Sequence, residues 1–278
     1  MKFVTKSPVI LFILIIASLA SNGQTTKKNT PKFDMVDFNR KFEVVQWLVD
    51  YDNVAWKTTD VVMAQDKAEM AKLGAEWFCF QDTNKVWHAV YGKLTNTKYD
   101  LVFHFVMDSA SKINRTTEKL EQEFLDSHAL ALKTAGTKLA ASIPANSPRF
   151  NQYIRRNADK TFSVWLLPSF QTDGLAVYGG EAIYQIDQTG SKITKDESYF
   201  QKAFRGFKSV PPREIWLNYS EQEKPSLGAI FFVWYYKPYF TTIFIDNSDS
   251  TSSTINSGAS GFVWVHVEKS KKDEVKLK

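Results

Sequence analysis

From residue 38 onward, apolar side chains recur at helical spacing. Phe42, Val45, Leu48 and Val49 fall on one stripe, and Asp37 stands where an N-cap belongs. Residues 54–63 keep no clear period, and residues 66–73 read as a short helix stopped by Gly74. Three strand-like runs follow, over residues 75–81, 86–93 and 99–108. The connectors Asp82 to Lys85 and Leu94 to Lys98 are short and turn-rich, so a β-meander is expected. A long helix is predicted over residues 114–140. Its stripe carries Leu120, Phe124, Leu132, Ala135 and Leu139, Thr116 or Thr117 serves as N-cap, and Glu118 and Glu121 lie near the positive end of the dipole.

Pro144 and Pro148 close that helix, and residues 149–156 read as a short helical bridge. The second half is then almost wholly strand-like, over residues 161–167, 176–187, 214–219, 227–236, 240–246 and 261–268. Thr172-Asp-Gly174 and Gln188-Thr-Gly190 mark turns. Residues 248–260 are rich in Ser, Thr, Asn and Gly and read as a hairpin or surface loop. Strands, a helix, then strands again point to an α+β fold. Mainly antiparallel sheets would pack around one long central helix, with shorter helices at the N-terminus. No repeat of fixed period is present.

The first 23 residues have a different layout. Lys2 and Lys6 precede an apolar run from Pro8 to Ala20, followed by Ser21-Asn-Gly23, the order of a secretory signal peptide. The run is too short for a bilayer span, which needs about 20 residues. Cleavage is expected after Gly23, with Ala20 as the alternative. Residues 24–34 form a flexible lead-in, 35–268 the globular region, open to subdivision into 35–143 and 144–268, and 269–278 a basic tail. The protein is therefore expected to be soluble and either periplasmic or secreted. Cys79 is the only cysteine, which excludes an intrachain disulfide and a lipid anchor attached just after the leader.

Removing the charges of the leader and the tail brings the formal net charge of +5 to about zero for residues 24–268. A near-neutral body gives no case for nucleic-acid binding, which needs Lys and Arg clustered on one face. No membrane anchor is expected once the leader is removed.

Chemistry is sparsely signalled. The four histidines, His88, His104, His128 and His266, form no short metal-ligand pair, so no metal or cofactor is expected. No Gly-x-Ser-x-Gly elbow exists, and Ser109-Ala-Ser-Lys112 falls in a loop. Gly179-Gly180 reads as a bulge or close approach rather than a phosphate loop. The densest aromatic segment runs from Phe231 to Phe240. As a strand it would put Phe232, Trp234 and Tyr236 on one face and be buried on both. Exposure of Trp234, Tyr236 or Tyr239 would instead make a stacking surface for a ligand or partner.

Thr161-Phe-Ser-Val-Trp-Leu-Leu-Pro168, a turn, and then Tyr178-Gly-Gly-Glu181 running to Asp187 carry a resemblance. This strand–turn–strand unit is similar to one in a group of exported Bacteroidetes-type proteins without an assigned activity. The resemblance implies export and brings no catalytic residues. Two functional readings stand. One is a non-catalytic exported protein that binds a ligand or partner through Trp234, Tyr236 and Tyr239 or the 248–260 loop. The other is an exported hydrolase with residues from separate strands, for which His88, His104, Glu181 and Asp187 are the candidates.

Overall fold

Helix α1 spans Met35–Met63. The Asp34 side chain caps it by accepting from the Asp37 amide at 3.0 Å, so the cap sits three residues earlier than the spacing suggested. Asp37 lies in the first turn instead, in ion pairs with Arg40 and Lys41. The buried stripe continues as Leu48, Tyr51, Asp52, Ala55, Thr58 and Val62, and carries the helix unbroken through the segment without clear periodicity. The computed structural model describes residues 33–211, 213–258 and 261–269. The expected leader, most of the lead-in and the basic tail beyond Lys269 lie outside the described residues. Among the described residues no helix is long and apolar enough to cross a membrane.

A short helix, α2 (Lys67–Met70), is capped by Asp66 and leads into the first sheet. Strands β1 (Trp77–Gln81), β2 (Trp87–Thr95), β3 (Lys98–Met107) and β4 (Ile113–Arg115) form the expected antiparallel meander, in the order of the chain. The last strand takes residues assigned to the long helix. Its residues 113–115 pair with β3, and Thr116 Oγ1 accepts from the Glu118 amide at 3.1 Å, a local turn that competes with helix. Helix α3 (Gln122–Ser142) therefore begins at a Glu121 N-cap that makes no side-chain cap bond.

The second sheet holds β5 (Phe150–Arg156), β6 (Phe162–Pro168), β7 (Leu175–Ile186) and β8 (Ile193–Asp196) in that order. β9 (Tyr199–Lys208) takes the remaining length of the β7 edge that β8 shares. The predicted helical bridge at 149–156 is in fact β5, paired with β6 along its whole length. The turn after β7 presses on α3. Gly190 has φ +78°, Thr134 Oγ1 donates to its carbonyl at 2.8 Å, and a Cβ there would lie 2.8 Å from the Ala131 amide nitrogen.

The third sheet joins β10 (Glu214–Tyr219), β11 (Thr242–Asn247), β12 (Ser250–Asn256) and β13 (Phe262–Glu268). β10 and β11 are parallel, a pairing that requires a crossover, and helix α4 (Leu227–Tyr236) provides it. The segment 227–236 is thus not the two-sided buried strand its alternation suggested. Ser226 Oγ caps it by accepting from the Ala229 amide at 3.1 Å. The expected loop at 248–260 likewise contains β12, paired with β13 over its full length. Its serines are used inside the sheet, where Ser253 Oγ donates to the Ile243 carbonyl at 2.9 Å.

The fold class differs from the expectation. The described chain is mostly β, 40% strand against 28% helix, with thirteen strands in three sheets and four helices. The longest helix is α1 at the N-terminal end and not α3. All described residues fall in one compact unit. α3 covers one face of the first two sheets through Leu125, Leu132 and Ala135 against Phe78, Val164 and Tyr184. α1 and α4 cover the opposite face through Val45, Leu48 and Phe231, and also back the third sheet through Ile243 and Ile245. Asp52 ties this layer together. It is buried, yet its carboxylate accepts from Tyr235 Oη at 2.7 Å, Tyr153 Oη at 3.0 Å and Asn151 Nδ2 at 3.3 Å.

Candidate functional site

A cavity of about 650 Å³ opens where the first turns of α1, the α1-facing side of the second sheet and the segment leading into α4 diverge. That volume is within the range of small-molecule sites. Its floor is set by strand register. Arg155, Ser163 and Gln185 stand side by side across β5, β6 and β7, followed by the Trp165–Ile183 pair and then by Glu181 opposite Tyr199 of β9. Residues two apart on a strand share a face, so Gln185, Ile183 and Glu181 all look into the cavity, the first and last about 13 Å apart. Val44 on α1 and Leu227 on α4 add apolar wall.

At one end lies Arg155. Its guanidinium carbon is 5.4 Å from the Trp47 ring centroid and 5.3 Å from that of Trp165, with the two indoles 5.8 Å apart. The three groups thus form a nearly equilateral triangle that pins the side chain. The residue is half-buried, and burial pulls its pKa down. Among the described residues no carboxylate forms an ion pair with it. The other lining cations are paired: Arg40 and Lys41 with Asp37 at 2.8 and 2.7 Å, and Lys224 with Asp34 at 2.8 Å. Beside Arg155, Ser163 Oγ lies 3.0 Å from Gln185 Oε1, which holds the Gln185 amide in place at the cavity floor.

At the other end lies Glu181, buried at 4% exposure. Its Oε2 accepts from the Gly228 amide and from Ser226 Oγ at 3.2 Å, so the carboxyl occupies the positive end of α4. A methyl group at residue 228 would collide with that carboxyl, so glycine is what lets α4 approach β7 here. Burial outweighs these bonds and raises the carboxyl's pKa to about 7.

The residues singled out by sequence are not gathered in one place. Tyr236 is fully packed. Trp234 is half-buried, edge-on to Phe42 at 4.7 Å and under Lys237 Nζ at 3.8 Å. Tyr239, 44% exposed, stacks on Phe170 at 5.7 Å. Because 227–236 is a helix, Trp234, Tyr236 and Tyr239 form no exposed row.

His88 and His104 do meet, Nδ1 to Nε2 at 2.9 Å, buried under Phe80 with Asp82 Oδ2 3.8 Å from His88 Nε2. His128 is packed against Phe78 and Phe162, and burial lowers its pKa to about 3. None of the four histidines lines the cavity. Among the described residues no group of three His, Cys, Asp or Glu side chains is arranged to hold a metal. Asp187 caps its own turn, accepting from the Ser191 and Lys192 amides, six residues and about 20 Å along the chain from Glu181. Of the hydrolase candidates, only Glu181 faces the cavity. Cys79 is buried, with its thiol pushed well above its usual range.

Arg155, Tyr199 and Ser226 were missed by sequence reading. For Arg155 a signal existed: it is in phase with Asn151 and Tyr153, the alternation of a strand whose far end is charged. Comparison of the chain with protein families, with curated proteins and with solved structures finds no match.

Proposed function

We propose that this chain is an exported, non-catalytic protein that takes a small molecule into the cavity between α1, the second sheet and the start of α4. The carrying observation is the cavity itself, with its floor on strands of the second sheet and polar groups at both ends of an apolar middle. Delivery to the periplasm or beyond the cell is supported by the basic start, the apolar run and the small residues ending at Gly23. The Trp165-Leu-Leu-Pro168 and Tyr178-Gly-Gly-Glu181 unit, which resembles exported Bacteroidetes-type proteins, supplies β6 and β7, two of the strands that form the floor.

A catalytic role for the cavity has less support. Glu181 has the proton affinity of a general acid, but its Oε2 is committed to Ser226 and Gly228 and no histidine stands within the cavity as a partner.

Filling the cavity provides the test. Ile183 is half-buried at the centre of the floor, and Ile183→Trp should remove binding of small molecules measured by calorimetric titration. The melting temperature should stay within a few degrees. Ligands that bind the variant as tightly as the parent would place their site elsewhere and overturn the proposal.

A further inference from the structure

Resting on the cavity reading, we infer that the ligand carries a carboxylate, and that Arg155 with the Gln185 amide receives it at the β5–β7 end of the cavity.

A guanidinium withdrawn from water without an anionic partner loses hydration that ring contacts restore only in part. Arg155 is in that position, half-buried against two indoles with no ion-pair partner among the described residues. The other cations lining the cavity contact aspartates, Arg40 and Lys41 sharing Asp37 and Lys224 pairing with Asp34, so Arg155 is the lining cation without a carboxylate partner among the described residues. The Trp47 and Trp165 contacts hold the side chain and restrict its rotamers, which is the preorganisation that a planar, two-pronged bond to a carboxylate uses. Ser163 fixes Gln185 Oε1, and the Gln185 amide nitrogen has no hydrogen-bond partner among the described residues. A second donor therefore stands in the same strand row.

Charge favours a single negative charge over a phosphate dianion. The cavity's four basic side chains face Glu181, Glu197 and Glu223 as well as Asp37 and Asp34, so only Arg155 is left to balance a ligand's charge. A dianion would meet repulsion that one guanidinium does not offset. The rest of the ligand would lie over Ile183, Val44 and Leu227 toward Tyr199 and Ser226, a wall that is part apolar and part hydroxyl.

Matched acid and amide probes test the inference on the full-length protein. Phenylacetate is compared with phenylacetamide, and glucuronate with glucuronamide, by calorimetric or fluorescence titration up to 10 mM. At least one acid should bind 30-fold or more tightly than its amide. Arg155→Gln should bring the pair within threefold, chiefly by weakening the acid, and Arg155→Lys, which keeps the cation but not the fork, should fall between. Acids that bind no better than amides, a preference that survives in Arg155→Gln, or no binding by any of the four would each overturn the inference. If amides bind as well as acids and Ile183→Trp stops both, the carboxylate inference fails while the cavity reading stands. Binding of either kind that Ile183→Trp leaves untouched removes both.

Discussion

Glu181→Gln is expected to stabilise the protein at pH 8 by about 3 kcal/mol and to change it by less than ~1 kcal/mol at pH 5. The sign follows from the direction of the shift. The carboxyl titrates near 7 in the folded protein, raised by burial from an ordinary value of 4.5. Below pH 4.5 the group is protonated in both states, and its favourable term is fully present. As pH rises through 4.5 toward 7 and above, the unfolded chain releases a proton that the folded protein retains or gives up only at a cost, and that stability is lost. Gln keeps an oxygen for the Gly228 amide and the Ser226 hydroxyl and never ionises, so it escapes the loss. Urea denaturation of both proteins at pH 5 and pH 8 measures the gap. A gap that is absent at pH 8, or reversed, would mean that the α4 dipole and the Gly228 bond hold Glu181 ionised at little cost.

The same variant should leave an acid limb in plain view. His128 is lowered to about 3 and His266 to about 4, both by burial. Each stays neutral in the folded protein while the unfolded chain takes up a proton below 6.5. Stability therefore falls with falling pH across that window, by roughly 1.4 kcal/mol per unit for a fully buried group such as His128. In the parent, Glu181 acts in the opposite direction between 4.5 and 7 and flattens the profile there.

Asp52→Ala should be the most damaging single change in the core, costing about 3–5 kcal/mol. Its carboxylate is the shared acceptor for hydroxyls from β5 and α4, and Tyr153 is 1% exposed, so water cannot replace the lost partner. Burial raises the Asp52 pKa despite these bonds, which shows that the site is costly to charge and is held by its donors. Asp52→Asn keeps one acceptor oxygen and should cost less. A double-mutant cycle with Tyr235→Phe reads the coupling directly: the two losses should be strongly non-additive, whereas additive losses would show that α1 and α4 are joined by packing alone.

Parts of this architecture were legible in the sequence for local reasons. The meander follows from alternating runs split by short polar turns, and a short helix, α2, lies within the segment 66–73 read as helical. α4 was not legible. Leu227–Tyr236 is apolar throughout, so neither period stands out, and the Ser226 cap together with the parallel β10–β11 pair decides for helix. β12 was hidden by composition, because serines that read as loop are bonded to the flanking strands β11 and β13. β5 was hidden by its polar ends. The site was hardest to see, since Lys41, Arg155, Glu181 and Ser226 come from four separate segments that only the packing of α1 and α4 on the second sheet brings to one cavity. Glu181 was picked out from sequence, but as a hydrolase candidate together with His88, His104 and Asp187, none of which lines the cavity.

Binding of a ligand in that cavity is tested most directly by two-dimensional NMR. Proton–nitrogen spectra are followed during titration of the full-length protein with phenylacetate and with glucuronate. The Arg155 Nε–H signal and the indole signals of Trp47 and Trp165 are expected to move together and saturate with one of the two acids. Saturable shifts centred on Tyr239 and Phe170, with Arg155 unmoved, would contradict binding in the cavity.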